Sequence, residues 1–235
     1  MTTSGTTTFN LDLNNLVEEA FERCGAELRT GYDMRTARRS LNLLTIEWAN
    51  RGINLWTIEQ GSIPLVQGQI VYTLPVDTID LLDHVIRTQS GVGQTDINIS
   101  RISVDTYSTI PNKNAQGRPI QVWINRQSGA TTPTGVQSPS ISVWPCPEQS
   151  NYYTFVYWRL RRIQDAGNGT TEQDIPFRML PALVAGLAYY LSLKIPDALP
   201  RAGILKAGYD EQWQLASDED REKAPLRLAP RQMFY

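Results

Sequence analysis

The chain has 235 residues, 41% of them hydrophobic and 20% charged, with a formal net charge of −2. That is enough chain to bury a core in one large domain or two small ones, and the composition excludes a wholly disordered or fibrous protein. The basic excess of a free nucleic-acid binder is missing, so strong DNA wrapping is not expected.

Residues 1–9 read as a flexible N-terminus. They are rich in Thr, Ser and Gly, and no basic stretch leads into an apolar run, so no signal peptide is expected. A helical region follows over 10–56. In its first helix Leu13, Leu16, Val17, Ala20, Phe21 and Cys24 fall on one face, with Asp12 to cap the start and Gly25 to stop it. In its second, Met34, Ala37, Leu41, Leu44 and Trp48 keep a 3-4-3-4 rhythm, with Asp33 as the cap and Gly52 as the stop. The short link between them predicts an antiparallel pair.

From about Trp56 the period changes to two. Val71 to Leu74, Ile97 with Ile99, Ile120 with Val122 and Ile124, Ile141 with Val143, and the run Tyr152 to Leu160 all read as strands. Gln67, Gly68 and Gln69 read as a hairpin turn, and one short helical turn is expected near Ser103 to Thr109. Residues 57–163 thus predict an inserted β domain of roughly six or seven strands, antiparallel because the connections are short.

Residues 164–174 read as a loop, and helices resume over 164–223. Pro176 opens one, with Asp174 as a nearby cap and Leu180, Leu183, Val184, Leu187, Ala188 and Leu191 as its stripe, and Pro196 ends it. Another runs from about Pro200 with Leu205, Tyr209, Trp213 and Ala216 on one side. The stretch Leu180 to Leu193 is the most apolar of the chain. It is shorter than the ~18 residues of a membrane span and includes Gly186, Tyr189, Tyr190 and Ser192, so it reads as a buried core helix and no membrane partner is expected. Residues 224–235 do not continue the last helix, because Pro225 and Pro230 favour an extended chain. The fold class expected is α+β: a four-helix bundle built from both chain ends, an inserted antiparallel β domain and an extended C-terminal tail.

Chemistry is hard to find. The single histidine, His84, follows Asp77, Asp80 and Asp83, a set that metal binding or acid/base work could use, but the stretch reads better as a solvated turn beside a strand. Cys24 and Cys146 are too far apart in sequence for a zinc motif or a disulfide framework, and Cys24 reads as a buried free thiol in a chain made in a reducing compartment. No nucleophile elbow, phosphate loop or dinucleotide fingerprint is present. No catalytic residue, cofactor or metal is assigned, and an enzyme is not expected. Tyr152, Tyr153, Phe155, Tyr157, Trp158, Trp123 and Trp144 pose a choice between a sugar-stacking platform and ordinary core filling. One face of the Tyr152–Trp158 run is expected to meet the core and the other another subunit. Arg159, Arg161 and Arg162 form a basic strand end suited to solvent, to intersubunit ion pairs, or to sequence-blind contact with DNA phosphates. The tail carries Pro225, Leu226, Arg227, Leu228, Pro230, Arg231, Met233, Phe234 and Tyr235 and no acid beyond Glu222, which suits a docking peptide: proline lowers the ordering cost, and Arg and aromatics anchor interfaces.

An ordered set of features carries a resemblance. It begins with the helix pair ending in Trp48 to Trp56 (Trp-Ala-Asn-Arg-Gly-Ile-Asn-Leu-Trp) and the Tyr72 to Pro75 strand. Tyr107 to Pro111 then leads to Gly117, Arg118 and Pro119. Ile141 to Pro147 enters an aromatic strand ending in arginine, and Ile175 with Pro176 opens an Ala/Leu-rich helix. In this order the chain resembles the head-to-tail adaptor family of short-tailed double-stranded DNA phages, the tail tubular protein A or tail accessory factor-like proteins. The resemblance implies a homo-oligomeric ring of about twelve copies below the portal protein, a closure that head-to-tail interfaces permit. It implies a C-terminal tail docked on the portal, a β domain facing a nozzle or knob protein, and duplex DNA passing through the channel without sequence readout. It places the protein in the neck or tail of the virion, made and assembled in the host cytoplasm. The other readings are a different head-completion or tail structural protein and a carbohydrate-binding receptor module.

Overall fold

The computed structural model describes residues 3–29, 31–52, 55–89, 91–127, 131–132 and 135–220. In chain order the elements run α1 (Leu13–Cys24), α2 (Gly31–Arg51), β1 (Ile58–Pro64), β2 (Val71–Thr73), β3 (Thr78–Thr88), β4 (Thr95–Asn98), β5 (Ser100–Ile102) and α3 (Val104–Ser108). They continue as β6 (Gln121–Asn125), β7 (Thr131–Thr132), β8 (Gly135–Val136), β9 (Ser140–Trp144), β10 (Tyr153–Arg161), α4 (Leu180–Ser192) and α5 (Ala202–Glu219). The chain is mixed α+β and divides into two compact units, Met1–Leu55 with Gln164–Tyr235, and Trp56–Ile163.

In the helical unit α1, α2 and α5 each pack on α4. That is why α4 has hardly any polar side: Leu180, Ala182, Leu183, Val184, Leu187, Ala188 and Leu191 are all buried. The six apolar residues expected on one face of α1 are the six buried there. Its ends are built as the sequence predicts. The Asp12 carboxylate accepts the Asn15 N–H at 2.8 Å. Gly25 takes the left-handed φ of 74°, and Ala26 closes the turn by donating to the Phe21 carbonyl at 3.0 Å. Cys24 is a buried free thiol that donates to the Ala188 carbonyl, and burial pushes its pKa up to about 11. Two expected caps differ. Helix α2 already starts at Gly31, so Asp33 lies inside its first turn, where its carboxylate reaches back to the Arg29 N–H. A 3-10 turn at Phe177–Met179, begun by Pro176, precedes α4, and Asp174 instead accepts the Gln164 N–H.

The β unit holds two four-stranded sheets, ordered β1-β10-β3-β4 and β2-β9-β6-β5, with β7 and β8 as a separate small hairpin. One core draws on both sheets: Tyr72, Ile86, Val122, Ile124, Ile141, Val143, Tyr153, Phe155 and Tyr157 belong to a single cluster. Three sequence expectations are corrected. The turn at 67–69 does not close a hairpin, because β1 and β2 lie in different sheets and Gly68 (φ 74°) turns the chain from one to the other. The strands are not all antiparallel: β5 runs parallel to β6, and residues 103–120, with α3 among them, supply the long crossover that parallel pairing requires. The described residues also hold ten strands, more than predicted: the stretch around Ile97 and Ile99 divides into β4 and β5, and β1, β3 and the two-residue β7 and β8 are not among the strands read from sequence.

The largest departure is β3. Asp80 to His84 reads from sequence as a solvated turn, yet it lies within the longest strand among the described residues. Opposite β10, Trp158 pairs with Asp83 but Arg159 pairs with Leu81, which leaves Leu82 as an extra, bulged residue. A second shift leaves Ile79 extra. Two bulges in one strand break the alternation that would have revealed it.

Candidate interaction sites

The singled-out residues that the structure describes each have a definite setting in their unit. Arg159 donates to Glu59 at 2.7 Å and to Asp77 at 2.5 Å, and Arg161 donates to the same Glu59 at 2.6 Å. Both arginine side chains are only 12% exposed, so the carboxylates of β1 and of the turn before β3 hold them along the sheet. The Arg159 hydrogen bond holds the Asp77 carboxyl below the usual carboxylate range. Arg162 is exposed, and its N–H donates to the Asp77 carbonyl.

The three aspartates before His84 diverge. Asp77 goes to Arg159, while Asp80 pairs with Arg101 at 3.0 Å and Arg126 at 3.4 Å. His84 turns the other way, into the core, where its ring stacks on Phe155 at 5.8 Å and neither ring nitrogen has a hydrogen-bond partner. Burial pushes its pKa below 6.5, with Asp83 opposing and Arg101 reinforcing. Among the described residues no three His, Cys, Asp or Glu side chains gather as metal ligands would.

The aromatic residues do not form one platform. Tyr153, Phe155 and Tyr157 fill the core. Trp123 stacks on Tyr107 at 5.2 Å, and the Trp144 indole donates to the Asn112 carbonyl at 3.0 Å. Tyr152 stays 42% exposed, edge-on to Tyr153. The docking residues Pro225, Leu226, Arg227, Leu228, Pro230, Arg231, Met233, Phe234 and Tyr235 lie outside the described residues.

Two features of the helical unit escape a reading by sequence. In the first, Glu47 gathers Arg51, Tyr190 and Tyr209 around one carboxylate. Tyr209 also accepts the Trp48 indole N–H at 2.9 Å, and Arg51 lies 4.7 Å over Trp213. Burial pushes the Tyr209 hydroxyl up to about 12 and holds Tyr190 far above its ordinary value. An open cleft of about 430 Å³ lies beside this cluster, bordered by Lys206 and Asp210.

The second is a groove of about 1170 Å³ between α1, the segment 7–11 and the start of α4. Its walls are Phe9, Leu11, Phe177, Leu180, Pro181 and Val184, and its rim carries Glu18, Glu19, Glu22 and Arg23. Phe9 and Phe177 are each 77% exposed. The segment is anchored from behind: Asn10 donates to Glu172 at 2.7 Å, and Leu13 and Asn14 donate to the Thr171 and Gly169 carbonyls. The sequence signal was faint, a pair of acids one turn apart beside the apolar stripe of α1.

Exposed apolar walls of this kind mark a surface on which something else packs. No curated protein matches the chain. The SU10 adaptor protein family matches it over residues 12–229, nearly its whole length and both units, and the chain belongs to that family. It is accordingly a phage adaptor, a structural part of a phage particle.

Proposed function

We propose that this adaptor joins the head of a tailed phage to its tail, as a ring of about twelve copies below the portal, with DNA passing through the channel. The observation that carries the reading is the family match, which spans 12–229 and so takes in the helical unit together with the β unit inserted in it. In this reading the helices of both chain ends act as one four-helix bundle, residues 10–56 and 164–223, and the β region 57–163 faces a nozzle or knob protein. The tail 224–235 docks on the portal. Its arginines and aromatics suit a docking segment, since both anchor interfaces. Arg159, Arg161 and Arg162, at and just after the end of β10, are in this reading the basic residues that meet a neighbouring copy or the passing DNA. Contact with DNA would be to phosphates and blind to sequence.

The test is the mass of the protein alone and mixed with its cognate portal protein, by native mass spectrometry or sedimentation. A defined complex with about one copy per portal subunit is expected. A monomer that ignores the portal would overturn the reading.

A further inference from the structure

Among the described residues nothing closes over the groove on the helical unit. Apolar walls that include two largely exposed phenylalanines are uncommon on a finished surface, and they mark a place where something else packs. The rim narrows the chemistry. Glu19 is neutralised by Arg23 at 2.8 Å. Glu18 and Glu22 are exposed, one turn apart on α1, and have no basic partner among the described residues. Like charges at that spacing work against the helix that carries them. A ligand that is apolar along its length and positively charged would fill the walls and relieve the rim together.

The chain itself carries such a segment. Residues 224–235 hold Leu226, Leu228, Met233 and Phe234 with Arg227 and Arg231, and no acid. The described chain also stops beside the groove. Helix α5 ends at Glu219, and the buried Asp220 carboxylate is ion-paired with Arg178, the neighbour of the groove wall Phe177. The 15 residues after Asp220 span up to about 50 Å when extended, and the stretch of α1 from Asn15 to Glu22 is only about 10 Å long. Reach is no obstacle, and Pro225 and Pro230 reduce the freedom lost on seating.

We propose that in the free protein residues 224–235 lie in this groove of their own copy, with Leu and Phe side chains against Phe9 and Phe177 and arginines against Glu18 and Glu22. The tail then has two seats, its own groove before assembly and a partner after it. Seating in the groove does not depend on what that partner is.

The experiment uses the full chain at low salt without any partner. Trypsin cleavage after Arg227 and Arg231 is timed by mass spectrometry against a synthetic peptide of residues 221–235 as the uncovered reference. Cleavage about tenfold slower than in the peptide is expected. That protection should fall away at 0.5 M salt (~0.5 M exceeds the range in which surface charges attract at distance), in the double variant Glu18→Lys/Glu22→Lys, and in Phe177→Ser. All three substituted residues are exposed, and circular dichroism confirms that the variants fold. The rates should not change with protein concentration. Cleavage as fast as in the peptide would overturn the proposal, as would protection that survives both variants. Protection that grows with concentration would overturn it too, since the occupant would then be the tail of a second copy. Because no portal is present, none of these results bears on the adaptor reading itself.

Discussion

His84 is the residue whose surroundings constrain it most. Its ring is buried against Phe155 with both nitrogens unsatisfied, and its pKa is pushed below 6.5 by that burial. The unfolded chain takes up a proton that the folded chain refuses, so stability is full above about pH 6.5 and declines as the pH falls toward the folded value. The unfolding free energy from urea titrations should therefore drop between pH 7.5 and pH 5 (a window set by the ~6.5 of a free imidazole), by at most about 1.4 kcal/mol per pH unit. His84→Leu should flatten that decline. An equally steep loss in the variant would place the sensitive group elsewhere. Arg159 governs the more acidic range. Asp77 has a lowered pKa because Arg159 holds its charged form, so its contribution is present above about pH 3.8 and is lost as the pH falls below that. Arg159→Met leaves Glu59 and Asp77, both partly exposed, with a weaker partner set. A loss of about 1–2 kcal/mol at neutral pH and a shallower acid limb should follow, read by chemical denaturation at several pH values. Capping residues were legible from the chain alone, because Asp12 and Gly25 act on atoms within a few residues of themselves. His84 was not, because its environment is decided by a bulge at Leu82 that only pairing with β10 creates.

At the scale of elements, α4 is where the helical unit is most tightly specified. A Cβ on Gly186 would lie 2.9 Å from the side chains of both Leu44 on α2 and Tyr209 on α5. Gly186→Val should therefore cost about 2–3 kcal/mol by overpacking, seen as a lower melting temperature with the β unit intact by near-ultraviolet spectra. An unchanged melting temperature would mean that the three helices separate more readily than their packing indicates. Helix stripes were readable because a period of three and four residues survives in the sequence whatever the helix later meets. Sheet membership was not readable. The strands β1 and β2 are neighbours in sequence and lie in different sheets, while β1 and β10 are about a hundred residues apart and pair along seven positions. Such choices rest on tertiary pairing, and local composition carries no trace of them. The groove was hidden for the same reason, since Phe9 and Phe177 meet only after the chain has returned.

For the whole molecule, the two units imply two thermal events. The pH dependence of His84 belongs to the β unit and the effect of Gly186→Val to the helical unit, so each perturbation should move one calorimetric transition and leave the other in place. A single transition displaced by both would show that the units unfold as one. The shared position of α4 also has a consequence for synthesis. Helices α1 and α2 leave the ribosome first, but the helix they bury against follows about 130 residues after Arg51, once the entire β unit has been made. At ordinary translation rates that interval is on the order of ten seconds. For that time the stripe of Leu13, Leu16, Val17, Ala20 and Phe21 has no partner from its own chain. A nascent adaptor is thus a natural client for the chaperones that wait at the exit tunnel.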